Sequence, residues 1–177
     1  KRKSMLSYKE SLKILKETDA LLEGHFILSS GLHSDKYVQC AKLLSKPERA
    51  KEICLSLAEK IREKYKNIDL ILSPAIGGIV IGYEIGRILN TETIFAERVN
   101  GIFNLRRGFE ISKGQKILVV EDVITTGKSS LECSALAKKA NAEIMGYACI
   151  IDRSNGKSKI DKTIVSQIEI QIPTYKK

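Results

Sequence analysis

Apolar residues recur along this chain in two rhythms, helical spacing and short unbroken runs, and the two alternate. Residues 7–22 place Leu12, Leu15 and Leu22 on one side of a predicted helix. Residues 24–39 lose that spacing and hold short extended pieces at 26–28 and 36–39 among glycine and serine. Pro47 opens the next helix, a position where its missing N–H is harmless; Cys54, Leu57, Ala58, Ile61 and Tyr65 carry the apolar face. The run DLILS at 69–73 has strand length, 74–78 breaks it, and a helix to about residue 90 turns Ile81, Ile85, Ile88 and Leu89 inward. Residues 92–96 read as a strand and 97–109 as a polar, basic hairpin or mobile loop. KILVV at 116–120 is the clearest buried strand. The helix after it, from about residue 127 to 140, buries Cys133, Leu136, Ala137 and Ala140. Residues 142–152 and 163–168 complete the strands.

Strands alternating with helices predict right-handed crossovers and a parallel sheet. A run as uniformly apolar as KILVV suits a sheet covered on both faces. The expected fold is therefore α/β: Rossmann-like, with a mostly parallel central sheet flanked by helices. Ligands of such sheets gather at the carboxyl ends of the strands, and the loops after Ser73 and after Val120 both fall there. At 177 residues one domain is expected.

Composition narrows the class without naming a chemistry. The chain is 43% hydrophobic and 29% charged, ordinary for a globular protein, and no stretch approaches the ~20 apolar residues of a membrane span. The start, KRKSM, is basic but is not followed by the apolar core of a signal peptide; Met5 is a candidate natural start behind Lys1–Ser4. Cys40, Cys54, Cys133 and Cys149 match no zinc or disulfide spacing and read as reduced thiols of a cytoplasmic protein. His25 and His33 lack a third ligand for a structural metal. A net charge of +9 suits anionic partners. The lysines are scattered along helices rather than blocked, so the charge does not by itself argue for nucleic acid.

The chemistry concentrates at 119–129, VVEDVITTGKS. Val119 and Val120 end a buried strand, Glu121 and Asp122 follow at its tip, and Thr125, Thr126, Gly127 and Ser129 open a helix. The first N–H groups of a helix have no internal partner and its dipole is positive there. Threonines and a glycine let those groups wrap a phosphate, and Lys128 adds charge. Carboxylates cannot hold phosphate directly but can accept from a vicinal diol, or reach a cation that itself binds phosphate; a ribose carries both a diol and a 5′-phosphate, so one loop could grip both ends of a ribose 5-phosphate. The GKS at 127–129 is not a P-loop, which needs glycine where Asp122 stands. The glycines at 77, 78, 82 and 86 are not a dinucleotide fingerprint, which fails at Ile79; glycines four apart on a helix point to close packing. An ordinary capped helix would explain the threonines but not the acids.

VVEDVITTGKS closely resembles the phosphoribosyl-pyrophosphate signature of type I phosphoribosyltransferases. Three further segments, in order, resemble orotate phosphoribosyltransferases: GHFILSSGLHSDKYVQ at 24–39, SPAIGG at 73–78 and IDR at 151–153. The resemblance implies a single phosphoribosyltransferase domain over 1–177. Its core is 46–152, and a small hood is formed by the N-terminal segment 1–45 and the C-terminal segment 153–177. It implies transfer of the phosphoribosyl group from phosphoribosyl pyrophosphate to orotate, with Mg²⁺ held mainly by substrate and no firm protein ligand. Glu121 and Asp122 would hold the ribose hydroxyls, with Asp122 counted as catalytic. Val123, Ile124, Thr125, Thr126, Gly127, Lys128 and Ser129 would surround the 5′-phosphate, and N–H groups at Ala75, Ile76, Gly77 and Gly78 the pyrophosphate. Arg153, Thr125 and Tyr37 would meet orotate. The bland readings of Arg153 and Tyr37 are a surface arginine beside Asp152 and a half-buried strand tyrosine.

The family's mobile loop is lysine-rich, carries a histidine and reaches the partner subunit of a homodimer. Here 97–109, ERVNGIFNLRRGF, has neither residue, which resembles a variant branch. Arg98 and one of Arg106 and Arg107 are expected to replace the lysines, with Arg98 and Arg106 assigned as catalytic; the alternative is an exposed basic hairpin. Ser29 stands where many relatives carry lysine. Competing readings are a purine or uracil phosphoribosyltransferase, against which IDR and GHFILSSG speak, and a non-catalytic regulator binding nucleic acid. For the regulator, the ~20 residues before GHFIL are too few for a DNA-reading domain.

Overall fold

Residues 5–176 are described in a computed structural model; Lys1–Ser4, and with them the question of what precedes Met5, lie outside the described residues, as does Lys177. The elements run α1 (Tyr8–Glu17), β1 (Leu21–Ile27), β2 (His33–Val38), α2 (Cys40–Leu44), α3 (Pro47–Lys64), β3 (Leu70–Pro74), α4 (Gly77–Leu89), β4 (Glu92–Val99), β5 (Ile102–Leu105), β6 (Lys116–Ile124), α5 (Lys128–Lys139), β7 (Glu143–Asp152), β8 (Ile164–Glu169) and β9 (Thr174–Tyr175). The central sheet has the order β5-β4-β3-β6-β7-β8. It is parallel except for the β4–β5 hairpin at one edge. The expected mostly parallel α/β sheet is thus present.

Period-two geometry explains why KILVV is apolar throughout, since successive strand residues point to opposite faces. Leu118 and Val120 pack with Ile53, Leu57, Ile81 and Ile85 of α3 and α4. Ile117 and Val119 pack with Cys133 and Ala137 of α5. Each fully buried aliphatic side chain contributes about 1.5–3 kcal/mol relative to exposure.

Three boundaries differ from the expectation. The first helix stops at Glu17: Thr18 turns its hydroxyl onto the Ile14 carbonyl at 2.8 Å and Asp19 adopts φ 61°, reversing the chain. Leu22 therefore sits in β1, 38% exposed, not on the helix. β6 runs four residues beyond Val120, because β7 pairs with it as far as Ile124↔Asp152. Glu121 and Asp122 are strand residues rather than a loop after one. Finally, the C-terminal segment adds β8 to the central sheet and β9 to a separate three-stranded sheet, β1-β2-β9, over the carboxyl end.

The glycine row of α4 is a packing device. A Cβ on Gly78 would lie 3.0 Å from Ser73 and Pro74, one on Gly82 would meet Ser73 Oγ, and one on Gly86 would meet Thr93 Oγ1 and the Thr91 carbonyl. The helix lies directly on β3 and β4 as a result. Gly86→Ala should overpack this contact and lower unfolding free energy by about 1–3 kcal/mol; an unchanged denaturant midpoint would show that the helix can move away freely.

Candidate active site

β3 and β6 are paired only as far as Leu72 and Val119. Beyond that β3 follows β4 to Pro74↔Ala96, and β6 follows β7. The strands part, and the chain order reverses between them, which is where open α/β sheets hold ligands. The loop before α4 and the end of β6 face each other across the gap.

Asp122 and Glu121 leave β6 on opposite faces. Asp122 turns toward α4, where a Cβ on Gly77 would lie 3.0 Å from both carboxylate oxygens; its Oδ1 also accepts the Val123 N–H at 2.8 Å. Glu121 turns toward α5, where Ser130 Oγ donates to its Oε2 at 2.5 Å. Burial raises both carboxyls, Glu121 to about 7. The Ser130 hydrogen bond opposes that rise and the Asp122 charge adds to it.

The turn into α5 is a cradle braced from behind. Thr125 and Thr126 are exposed at its lip, followed by exposed Lys128 and half-buried Ser129, with Val123 and Ile124 leading in from β6. Gly127 is buried at φ 83°, with room for no Cβ beside Ile160; the left-handed angle and the close approach both demand glycine. The Lys128 N–H donates to Thr126 Oγ1 at 3.2 Å. The first helical bond runs from the Leu131 N–H to the Gly127 carbonyl, so the N–H groups of Ser129 and Ser130 point outward without a helical acceptor. The Ile124 carbonyl accepts the Arg153 N–H at 2.9 Å and the Thr126 carbonyl accepts the Lys159 N–H at 2.8 Å.

Across the gap, the Ala75–Ile76 peptide is cis. The Ala75 N–H donates to the Ala96 carbonyl at 2.8 Å, so the donors expected from this loop begin at Ile76 and continue through Gly77 and Gly78 at the start of α4. A cavity of 370 Å³ extends from Asp122 and Gly77 to Gln39, Ala41 and Leu44 beside α2. A larger one, 620 Å³, lies behind the hood, between Tyr8, Lys36, Asp152 and Glu169, and touches neither loop.

Arg153 follows β7, half-buried, and its guanidinium makes no hydrogen bond or ion pair among the described residues. Burial lowers its pKa. Asp152 instead accepts the Ser154 N–H at 2.9 Å. Tyr37 lies in the hood, 40% exposed, stacked on Phe26 with centroids 5.7 Å apart. Ser29 lies in the exposed β1–β2 turn.

The segment 97–109 is chiefly a hairpin, with Asn100 and Gly101 at φ 51° and 80° in its two-residue turn. Arg98 pairs with Glu132 of α5 at 2.8 Å and lies 4.2 Å over the Phe103 ring. Arg107 forks onto Glu97 at 2.7 and 3.1 Å. Arg106 is exposed and makes no contact ion pair among the described residues, though its charge reaches Glu97. Among the described residues no three His, Cys, Asp or Glu side chains are placed to hold a metal. Sequence reading singled out Ser129 and passed over Ser130 and Ile160, whose contacts span strand to helix and loop to loop and leave no mark in spacing.

The fold and this crevice define a phosphoribosyltransferase class: a phosphoribosyl transferase domain model matches residues 40–177. The chain is 49% identical to an orotate phosphoribosyltransferase of Caldicellulosiruptor saccharolyticus over 93% of its length and 85% of the relative's. It is 48% identical to an orotate phosphoribosyltransferase of Parvibaculum lavamentivorans, with 92% and 86% covered. A crystal structure of orotate phosphoribosyltransferase from Aeropyrum pernix superposes with a TM-score of 0.78 at 22% identity, covering 89% of this chain and 92% of that one. The chain belongs to the orotate phosphoribosyltransferase family.

The raised carboxyl gives the folded chain a pH signature. In the folded chain Glu121 keeps its proton up to about pH 7, whereas its ordinary value is 4.5. Between these limits the folded state binds more protons than the unfolded one, so stability falls as pH rises and levels off above the window. Glu121→Gln, a permanently neutral substitute, should gain in thermal midpoint over the wild type as pH is raised through that window; a constant difference would rule out the shifted titration.

Proposed function

We propose that this chain transfers the 5-phosphoribosyl group of phosphoribosyl pyrophosphate to orotate, forming orotidine 5′-monophosphate and pyrophosphate in pyrimidine biosynthesis. The observation that carries this reading is the end of β6, where Glu121 and Asp122 lead directly into a helix start whose Ser129 and Ser130 N–H groups have no helical acceptor; a half-buried Arg153 at the end of β7, without a guanidinium partner among the described residues, supports it. Relatives at 46–49% identity named orotate phosphoribosyltransferase support the same reaction.

In this reading the 5′-phosphate sits in the cradle at Thr125–Ser130, bound by helix-start N–H groups and hydroxyls. Glu121 and Asp122 each take a ribose hydroxyl from their own side of β6. A ring nitrogen of orotate bonds to ribose C1 as the C1–oxygen bond to pyrophosphate breaks; the electron pair leaves with pyrophosphate, which takes up the proton released from that nitrogen. Positive charge on the ribose ring develops near the two acids, and the departing negative charge meets the N–H groups of Ile76, Gly77 and Gly78. Arg106, without a contact ion pair among the described residues, is the loop cation with its charge least committed and so the one to join them. Arg98 would first have to leave Glu132. Arg153 forks onto the orotate carboxylate, with Thr125 and Tyr37 flanking the ring. The chemistry Mg²⁺ would supply, bound through phosphate oxygens of the substrate, is neutralisation of the charge on departing pyrophosphate. Four buried free cysteines fit a reducing, cytoplasmic setting, and no described helix is long and apolar enough to cross a membrane.

A turnover assay following orotate with and without Mg²⁺ tests the reading; preference for a purine or uracil would replace the base assignment. Arg153→Ala should lower kcat/KM for orotate about 100-fold by removing a charge-assisted fork. Alanine at Arg106 should depress kcat more than alanine at Arg107, and equal, wild-type rates for Arg98→Ala, Arg106→Ala and Arg107→Ala would remove the loop from the mechanism.

The chain is further assigned as a homodimer. Ile76, just before α4, and Val80 and Tyr83 on it are exposed apolar residues, by 86, 54 and 69%, and Ile76 and Val80 also line the crevice cavity. A second copy is the occupant that would bring a loop to that cavity. Val80→Asp should convert a dimer to monomer in sedimentation; a monomeric wild type would exclude the assignment.

A further inference from the structure

Ser130 lies in the first turn of α5 and is fully buried. Serine at a helix start commonly turns its hydroxyl onto the backbone. Here it donates across to β6, to Glu121 Oε2 at 2.5 Å, within the range of a strong hydroxyl–carboxylate bond. One carboxylate oxygen is thereby fixed and the other remains for an incoming group.

Resting on the reading above, we propose that Ser130 is a positioning residue: its hydroxyl orients the Glu121 carboxylate and holds it in the form that accepts a ribose hydroxyl. The surroundings make this contact decisive. The titratable groups facing Glu121 are Asp122 on its own strand, Cys133 on α5 and Cys149 on β7. None of these is cationic, and both thiols are held protonated by burial. Burial and the neighbouring acid favour the neutral carboxyl, and the Ser130 hydrogen bond works in the other direction. A protonated Glu121 loses part of its acceptor capacity and presents an O–H donor instead. Ser130 touches Glu121 rather than the reacting atoms, so its influence should run through the titration of that acid.

The test uses Ser130→Ala and Ser130→Cys, the second keeping the volume while donating only weakly. Two quantities are measured on the intact protein. One is the Glu121 carboxyl titration by carbon-13 resonance, assigned by its loss in Glu121→Gln. The other is the preference for ribose 5-phosphate over 2-deoxyribose 5-phosphate near neutral pH. Both variants should raise the Glu121 midpoint by about one unit and reduce the preference about fivefold. An unmoved midpoint, or a moved midpoint with an intact preference, overturns the proposal. If the wild type shows no preference, the ribose assignment of the acid pair fails with it. The carbon-13 titration then separates that failure from a failure of the Ser130–Glu121 link.

Discussion

The site depends on a pairing that stops. β3 and β6 hydrogen-bond in register from Leu70↔Ile117 to Leu72↔Val119 and no further. Both strands continue, each following its other neighbour, and a twisted parallel sheet opens where its two central strands part company. The gap exists because the strands below it are held together by a core on both faces. Leu118 and Val120 are locked against α3 and α4, and Ile117 and Val119 against α5. Neither half can drift in to close the crevice without unpacking its own layer.

Electrostatics then give the crevice its character. Two half-buried carboxyls follow one another on β6 with no cation among the described residues easing them, and desolvation raises both. At the end of β7, Arg153 is half-buried with no anionic partner among the described residues. Pairing these opposite demands with each other would have produced a quiet surface network. They are instead held on separate strands and separate loops, β6 for the acids and the end of β7 for the arginine. In the proposed reaction, hydroxyls and phosphate from one substrate and a carboxylate from the other would meet these groups, and only the surplus over desolvation and ordering costs would appear as affinity.

The basic segment shows the same economy turned inward. Arg98 and Arg107 were natural candidates to replace the family's lysines, but each has found a carboxylate at home, Glu132 and Glu97. Their guanidiniums also lie near Phe103 and Phe95, so they staple the hairpin as much as they charge it. Exposed pairs of this kind are worth little individually and can exchange partners at small cost.

Much of this was legible in the amino-acid order. Apolar runs of strand length against helical spacing announced a covered parallel sheet, because a strand buried on both faces cannot afford polar residues at either parity. TTG behind two acids announced a phosphorylated ribose, because hydroxyls, a glycine and a helix start are local chemistry needing only neighbours in the chain. Asn100-Gly101 was a further local signal, a mirror-turn pair that resolves the 97–109 segment into a hairpin. What remained hidden was set by distance. The lengthening of β6 through Glu121 and Asp122 came from β7, whose pairing sequence periodicity does not report. That lengthening sends the two acids to opposite faces. Ser130 beside Glu121, Ile160 beneath Gly127, Gly77 against Asp122 and the carboxylates that occupy Arg98 and Arg107 are likewise contacts between elements. The chain by itself determined which chemistry is carried on which element. Only the packing of those elements decided which groups face one another, because burial and partnership are properties of the assembled sheet and not of any residue's neighbours in sequence.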